Sequence, residues 1–572
     1  MLPVITAIAT IALGLTLLLG GFSTATTVML GGTGLVLLGA LVLLGVVTVP
    51  GASGRIGIRI GAGLTVLLGG GAALLGPGIG IRVLVGIVAA GLLLLGADTA
   101  RRRWRGGTRL RRASDLLLLA ACGILGLLAI DSWPVLAVAA GRLVIGAGLA
   151  VLGLLALRSK RTSREQPNAA RGRLRLTAAC TALLCAVGLA VTSTALLGAG
   201  PRPAPDAFAA APQDVPAEPG RLLRVEPFTT AVPAGAEAWR ILYTTTTQDG
   251  APALATGLVL APEDRGAQPL PLLSIAHGTT GVSSRCAPSL STAPFGDGAQ
   301  EALFAMVTEH GWAGVLTDYV GLGTAGPHPY LIGPAEGRSV LDASRAAREL
   351  THLDLSSTTV LWGHSQGGHA ALWAGQIAPE YAPDLQIAGI AALAPATDLE
   401  ALAEASKNDM GGRTIAPYIA SSWDAVHPEL GLRDRLTPGT AGDVDRIAQL
   451  CFTDHDAIAA LLRGSQIPVQ VLPDAQLQGP LGDLLRENTP TGPFPAPVLV
   501  AQGDADPLVR PRMQEDWVMR RCADGIPIDY RAVPGRGHVE RVAADSPIND
   551  PLVAWTLDRW DGDAATPTCG AR

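Results

Sequence analysis

Apolar residues run almost unbroken from Met1 to about residue 199, interrupted only by small polar patches and basic islands. A membrane-spanning helix needs roughly 20 consecutive apolar residues. No charged residue precedes Arg55, and that stretch is too long for a single helix. It divides at Ser23-Thr24-Ala25-Thr26-Thr27. The pattern predicts seven spans, near 3–21, 28–49, 58–76, 80–97, 116–133, 136–157 and 176–198. The third and fourth are Gly-rich and parted only by Gly76-Pro77-Gly78. The first lacks a basic region ahead of its apolar core and is followed at once by further spans. It reads as a retained helix, not a cleaved leader.

From residue 221 the pattern changes to short β-branched runs alternating with helical periodicity, which predicts a parallel sheet covered by helices. "WRILYTTTTQDG" and "ALATGLVLAP" read as an antiparallel start. "LPLLSIAHG", "WAGVLTDYVGLG", "TTVLWGHS", "QIAGIAALAPA", "APVLVAQGDAD" and "IDYRAVPGRGH" read as further strands, with helices over "EALFAMVTEHG" and "GRSVLDASRAARELTHL". Between the halves, residues 200–220 hold six prolines without periodicity and read as an extended tether. The expected organisation is a transmembrane domain over 1–199, a linker over 200–220 and a second domain over 221–572.

Charge orients the first half. Segment 99–115 carries seven arginines (Arg101, Arg102, Arg103, Arg105, Arg109, Arg111, Arg112). Segment 158–175 carries seven basic residues (Arg158, Lys160, Arg161, Arg164, Arg171, Arg173, Arg175). The turn at Asp131-Ser132-Trp133-Pro134 between them has none. Basic segments stay in the cytoplasm. Seven spans then put the N-terminus inside and the second half outside. Arg82 and Asp131 fall near span ends and Arg142 deeper, too few for an intramembrane pathway, so the first half reads as an anchor.

The net charge of −5 gives no reason to expect a nucleic-acid partner. Oligomeric state leaves no mark in the sequence. Cys122, Cys180 and Cys185 lie in apolar segments and are expected as buried thiols. Cys286, Cys451, Cys522 and Cys569 lie in the second half, where four cysteines allow three pairings. Paired cysteines need an oxidising compartment, in line with the outward orientation.

The candidate chemistry centres on Gly363-His364-Ser365-Gln366-Gly367, a G-x-S-x-G match between the strand "TTVLW" and the helical stretch "GGHAALWAGQIA". Strand, turn and helix in that order are what a nucleophile elbow requires. A serine hydroxyl needs a base to take its proton. All nine histidines lie at position 277 or later. Of those after Ser365, His369 sits one turn into the helix behind it, and His427 and His455 lie in the long segment after the sixth strand. His538, in the Gly-rich loop after the last strand, is the expected base. The acid belongs at the end of "APVLVAQG". Asp504 and Asp506 both follow; the proline and "LV" behind Asp506 favour it, with Asp504 as a turn residue. The oxyanion needs two backbone donors. Gln366, after the serine, supplies one; Thr279, in the loop "AHGTTG" shaped by His277, supplies the other. No metal-ligand spacing occurs, and no cofactor or metal is expected. "TDHDA" (453–457) reads as a polar loop or helix start.

Four segments, "HGTTGVSSRCAPS" (277–289), "DYVGLGTAGPHPYLIG" (318–333), "GRSVLDASRAARE" (337–349) and "GHSQGG" (363–368), resemble the secretory lipases of the fungal lipase A type and their actinobacterial relatives. The resemblance covers roughly residues 221–570. It implies an α/β-hydrolase fold with a Ser365–Asp506–His538 triad acting on acylglycerols or other carboxylic esters. It implies a helical cap at about 398–490, and pairing of Cys286 with Cys451 and of Cys522 with Cys569. The apolar front departs from the family and replaces secretion with tethering, as a multi-pass protein of the cell membrane.

The expected function is a membrane-anchored serine ester hydrolase, a lipase working outside the cytoplasmic membrane on lipid or ester substrates through an acyl-enzyme. Its base must be uncharged, so activity should fall below about pH 6. A same-fold acyltransferase or serine peptidase would keep the triad and differ in the cap. A peptidase needs carboxylates to grip a substrate amine, for which Glu400 and Glu404 are candidates. The contrasting class is a membrane sensor or transporter with a vestigial hydrolase domain.

Overall fold

The computed structural model describes residues 15, 23–43, 64, 66–71, 73–74, 76–104, 109–143, 147, 169–296, 299–540 and 542–569. The chain divides into two compact units. One comprises Met1–Gly198 with Thr437–Ala441 and Leu462–Gln470; the other comprises Ala199–Leu436, Gly442–Leu461 and Val471–Arg572.

Among the described residues of the first unit, helices run over Thr24–Leu43, Pro77–Trp104, Arg109–Asp131 and Ala169–Leu197. Two stretches, Arg109–Asp131 and Arg173–Leu197, are long and apolar enough to cross a membrane; Pro77–Gly91 and Pro134–Leu143 are shorter apolar helices. The expected span at 3–21 lies outside the described residues except for Leu15. So do about half of 58–76, the end of the span at 28–49 and most of the span at 136–157. The basic segment 99–115 is less a loop than two helix ends, since Pro77–Trp104 runs into it and Arg109–Asp131 starts inside it. Of the other basic segment, 158–168 lies outside the described residues.

Small residues make the helix contacts. A Cβ on Gly126 would come within 2.9 Å of Ala89 Cβ. The Trp133 indole N–H donates to Ser193 Oγ at 2.9 Å. Cys122, Cys180 and Cys185 are exposed, contrary to the expected burial. Each adjoins a buried alanine, Ala121, Ala179 or Ala186. Successive helical positions lie about 100° apart, so packing the small alanine inward turns the neighbouring thiol outward.

The second unit is built on a nine-stranded sheet, in spatial order β1-β2-β3-β5-β4-β6-β7-β8-β9. The strands are β1 (Leu222–Phe228), β2 (Ala236–Thr246), β3 (Pro252–Pro262), β4 (Leu270–Ala276), β5 (Ala313–Thr317), β6 (Leu355–His364), β7 (Gln386–Leu393), β8 (Val498–Gly503) and β9 (Ile528–Val533). β1, β2, β3 and β5 pair antiparallel, and β5 through β9 pair parallel. The sheet is therefore mixed, with one strand more than the hydrophobic pattern predicts. β1 escaped the pattern because it is an edge strand carrying Pro227 and exposed alternate residues, as edges tolerate.

Side-chain alternation explains the two buried faces. Val360 and Trp362 of β6 pack on helices Gln300–Thr308 and Asn549–Trp560, where the Trp362 indole N–H donates to Thr556 Oγ1 at 2.9 Å. Leu361 faces the opposite way, toward helices Gly333–Arg348, Gln366–Tyr381 and Pro511–Ala523. Between β7 and β8 the chain forms a set of helices, the first starting at Leu399 and the last ending at Glu487. Disulfides join Cys286 to Cys451 and Cys522 to Cys569, two of the pairs left open by composition and implied by the resemblance.

Residues 200–220 are not a free tether. Asp206 pairs with Arg240 at 2.8 Å, and the Arg240 guanidinium lies 4.2 Å from the Phe208 ring centre. Thr244 Oγ1 donates to the Glu218 carbonyl at 2.6 Å. Low hydrophobic periodicity hid this docking, because ion pairs and backbone hydrogen bonds hold the segment instead of an apolar stripe.

Candidate active site

Ser365 stands between the end of β6 and helix Gln366–Tyr381 with φ 55° and ψ −116°. A positive φ is rare for a residue with a side chain and is held only where surroundings fix it. Here the Ser365 N–H donates to the Leu393 carbonyl (2.9 Å), and its own carbonyl accepts from Ala396 (3.2 Å). The neighbouring glycines are required by close approach. A Cβ on Gly363 would run into the Gly367 carbonyl, and one on Gly367 into the Ala276 carbonyl at the end of β4.

The structure brings three of the expected residues together. His538 Nε2 lies 2.8 Å from Ser365 Oγ, and His538 Nδ1 lies 2.8 Å from Asp506 Oδ2. The carboxylate can only accept, so Nδ1 carries the proton and Nε2 accepts from the serine hydroxyl. Asp506 is buried and well supplied with donors: Gln502 Nε2 at 3.1 Å and the Leu508 and Val509 N–H groups at 2.9 Å each. Asp504 lies outside this chain and accepts the Gly535 N–H instead.

Thr279 and Gln366 both line the cavity that contains Ser365 and His538. Gln366 is the first residue of its helix, where backbone N–H groups have no intrahelical partner. The Thr279 side chain bonds the Tyr330 hydroxyl at 2.8 Å. His277 Nδ1 faces the Gly278 carbonyl at 2.6 Å, and its ring packs 4.5 Å from Tyr319, in a loop-shaping place. His369 is buried behind the elbow. His427 pairs with Glu429, and His455 sits at the start of helix Asp454–Ser465.

Sequence reasoning missed a buried polar network behind the serine. Glu336 accepts from the Leu331 N–H (2.8 Å) and Gln366 Nε2 (2.7 Å), and its second oxygen meets His369 Nδ1 (3.0 Å). His369 Nε2 donates to the Asn488 carbonyl at 2.7 Å. Gln366 Nε2 also donates to His328 Nε2 at 3.0 Å, while His328 Nδ1 donates to the Val320 carbonyl at 3.0 Å. Burial pushes the His328 pKa down to about 3, which keeps its Nε2 an acceptor. His364 Nε2 donates to the His538 carbonyl at 3.1 Å, so the residue before the serine also holds the His538 backbone. The only sequence signal was the Gln366 amide within "GHSQGG".

The cavity over Ser365 measures about 470 Å³. Much of its lining is aliphatic, with Leu402, Ile415, Ile419 and Leu461 from the inserted helices and Leu472 from a loop between them. Such a shape suits an apolar ligand with one polar end placed at the serine.

The sequence pattern of the family described as secretory lipase matches residues 293–568. The second half of this chain belongs to the secretory lipase family. Its fold is also that of Candida antarctica lipase A, matched over 65% of this chain and 89% of that one at TM-score 0.52 and 19% identity. Among secretory lipases and related proteins, a secreted triacylglycerol lipase of Malassezia globosa is 26% identical over 353 residues, 58% of this chain and 75% of its own. A probable inactive lipase of Mycobacterium tuberculosis is 34% identical over 196 residues, 32% of this chain and 43% of its own length.

Proposed function

We propose that this secretory lipase family member is an active serine ester hydrolase of lipase type. One observation carries the reading: the hydrogen-bonded run Asp506–His538–Ser365, with 2.8 Å at each step, opening into a mainly apolar cavity. His538 takes the Ser365 proton as Oγ attacks the ester carbonyl. The Gln366 and Thr279 N–H groups receive the oxyanion. The C–O bond to the alcohol breaks as His538 hands it the proton. Water, deprotonated by His538, then releases the acid from Ser365. Asp506 holds the imidazole in the tautomer this needs.

The similarity to a probable inactive lipase favours a vestigial domain. Against that stand the strained Ser365 and its complete set of partners, since backbone strain persists only where surroundings maintain it. A peptidase is disfavoured because the cap carboxylates are already engaged, Glu400 with Arg486 and Glu404 with Lys407. On this reading the hydrolase unit works outside the cytoplasmic membrane and the first unit is its multi-pass anchor. Two long apolar helices, the basic segments and two disulfides support it. The test is hydrolysis of p-nitrophenyl esters by the full chain and by Ser365→Ala. Activity lost in the variant at unchanged melting temperature supports the reading; activity retained sinks it.

A further inference from the structure

We propose that Arg202, from the segment ahead of the sheet, is a specificity-determining residue that seals the cavity wall for long acyl chains. The proposal rests on the ester-hydrolase reading. Arg202 lines the same cavity as Ser365, although 163 residues separate them in sequence (365 − 202). Its side chain is only 9% exposed, whereas that of its partner Asp454 is 51% exposed. The guanidinium therefore stands between the cavity and solvent. Nη2 donates to Asp454 Oδ2 at 2.8 Å, to the Thr453 carbonyl at 3.2 Å and to Thr453 Oγ1.

The backbone beside it is fastened too. The Gly200 N–H donates to Asp456 Oδ1, and the Gly200 carbonyl accepts from Arg285 Nη2 at 2.8 Å. Asp456, itself buried, also accepts from Arg285 Nη2 at 3.0 Å and from the Cys451 N–H at 3.1 Å. The same short stretch reaches the oxyanion loop, because the Phe452 N–H donates to the Thr280 carbonyl at 2.7 Å. Arg202 is thus held on three acceptors at the one place where the linker forms cavity wall.

The physical consequence concerns water. An acyl chain gains about 0.8 kcal/mol for each methylene taken out of water. Removing the Arg202 side chain opens the wall and lets water reach the part of the chain lying against it. A short ester does not extend that far and keeps its affinity.

The experiment uses the full chain in detergent with p-nitrophenyl butyrate and p-nitrophenyl laurate. Arg202→Ala is expected to raise KM for laurate about tenfold, the cost of wetting roughly two methylenes, with kcat and both butyrate constants unchanged within about twofold. Arg202→Lys, which keeps stem and charge, should recover most of the laurate KM. A merely structural role would lower kcat for both esters together with the melting temperature. Equal loss on both esters, or no loss on laurate, overturns the proposal. If the wild type hydrolyses neither ester, the enzymatic reading fails by itself. The proposal is then read from binding of a fluorescent dodecanoic acid derivative to the Ser365→Ala chain. About tenfold weaker binding with Arg202→Ala supports it, and unchanged binding overturns it.

Discussion

Asp504 Oδ1 accepts the Gly535 N–H at 2.6 Å and so ties the end of β8 to the loop that carries His538. Asp506, two residues on, takes the His538 Nδ1–H instead. Neighbouring carboxylates thus hold the same loop in different ways, one by its backbone and one by its imidazole.

That division predicts unequal mutants. Asp506→Asn offers the ring an amide that can present the wrong partner, and loss of the orienting acid costs about 10⁴ in kcat in this arrangement. Asp504→Asn keeps an acceptor oxygen for Gly535, and its kcat should stay within about tenfold of wild type, one weakened hydrogen bond to a charged group. Steady-state hydrolysis of p-nitrophenyl butyrate by both variants measures the gap. Similar losses in the two would reject the assignment.

Glu336 predicts a different signature. It lines no part of the cavity but accepts the Leu331 N–H and the Gln366 side-chain amide and meets His369 Nδ1, so it holds the residue proposed as an oxyanion donor. Glu336→Ala removes both acceptor oxygens and leaves the Leu331 N–H and the Gln366 side-chain amide without them. A polar group left unsatisfied there costs about 1–3 kcal/mol. The expected outcome is a kcat loss of at least about tenfold with KM nearly constant, because the shift falls on a donor used in the transition state. A raised KM at unchanged kcat would remove Glu336 from this role.

The disulfide between Cys286 and Cys451 closes a separation of 165 residues and ties the segment after Thr279 and Thr280 to the helices inserted between β7 and β8. Closing so long a loop stabilises a chain by about 2–5 kcal/mol. Cys286→Ser with Cys451→Ser should therefore lower the melting temperature and slow hydrolysis, as the Thr280–Phe452 contact loosens. Full activity and an unchanged melting temperature in the double variant would contradict this.

Stability should respond to acid through two buried groups with opposite signs. Burial lifts Asp342 to about 6, while Thr245 and Tyr381 hydroxyls donate to it at 2.7 Å each. A raised carboxyl favours the protonated folded state, so its contribution is full below about pH 4 and is lost as pH rises through about 6. His328, pushed down to about 3 by burial, works the other way and costs stability as pH falls below about 6.5. Asp342→Asn removes the first term only. Relative to wild type, the variant should gain about 2 kcal/mol between pH 4 and pH 6, the part of the two-unit shift that titrates in that window. Melting curves at pH 4, 5 and 6 test the sign; a variant that gains nothing over that window refutes it.

Several features were legible because short-range chemistry encodes them. The elbow needs Gly363 and Gly367 for backbone contact, and "TTVLWGHSQGG" prints that need directly. His538 and Asp506 follow strand ends whose β-branched patterning is plain. Glu336 was not legible, since its partners Gln366, His369 and Leu331 are brought together only by packing of two helices. The docking of residues 200–220 was hidden for a similar reason: a proline-rich stretch looks the same whether Asp206 meets Arg240 or water. Cys122, Cys180 and Cys185 show the limit of composition, which gives the apolar helix but not the face a thiol takes.

The central claim is that Ser365 reacts, and labelling of the full chain with a fluorophosphonate probe tests it most directly. The probe phosphonylates only a serine whose proton is taken by a working base. The account predicts one probe per wild-type chain, none on Ser365→Ala and strongly slowed labelling of His538→Ala. A folded wild-type chain left unlabelled, or label that persists in Ser365→Ala, would contradict it.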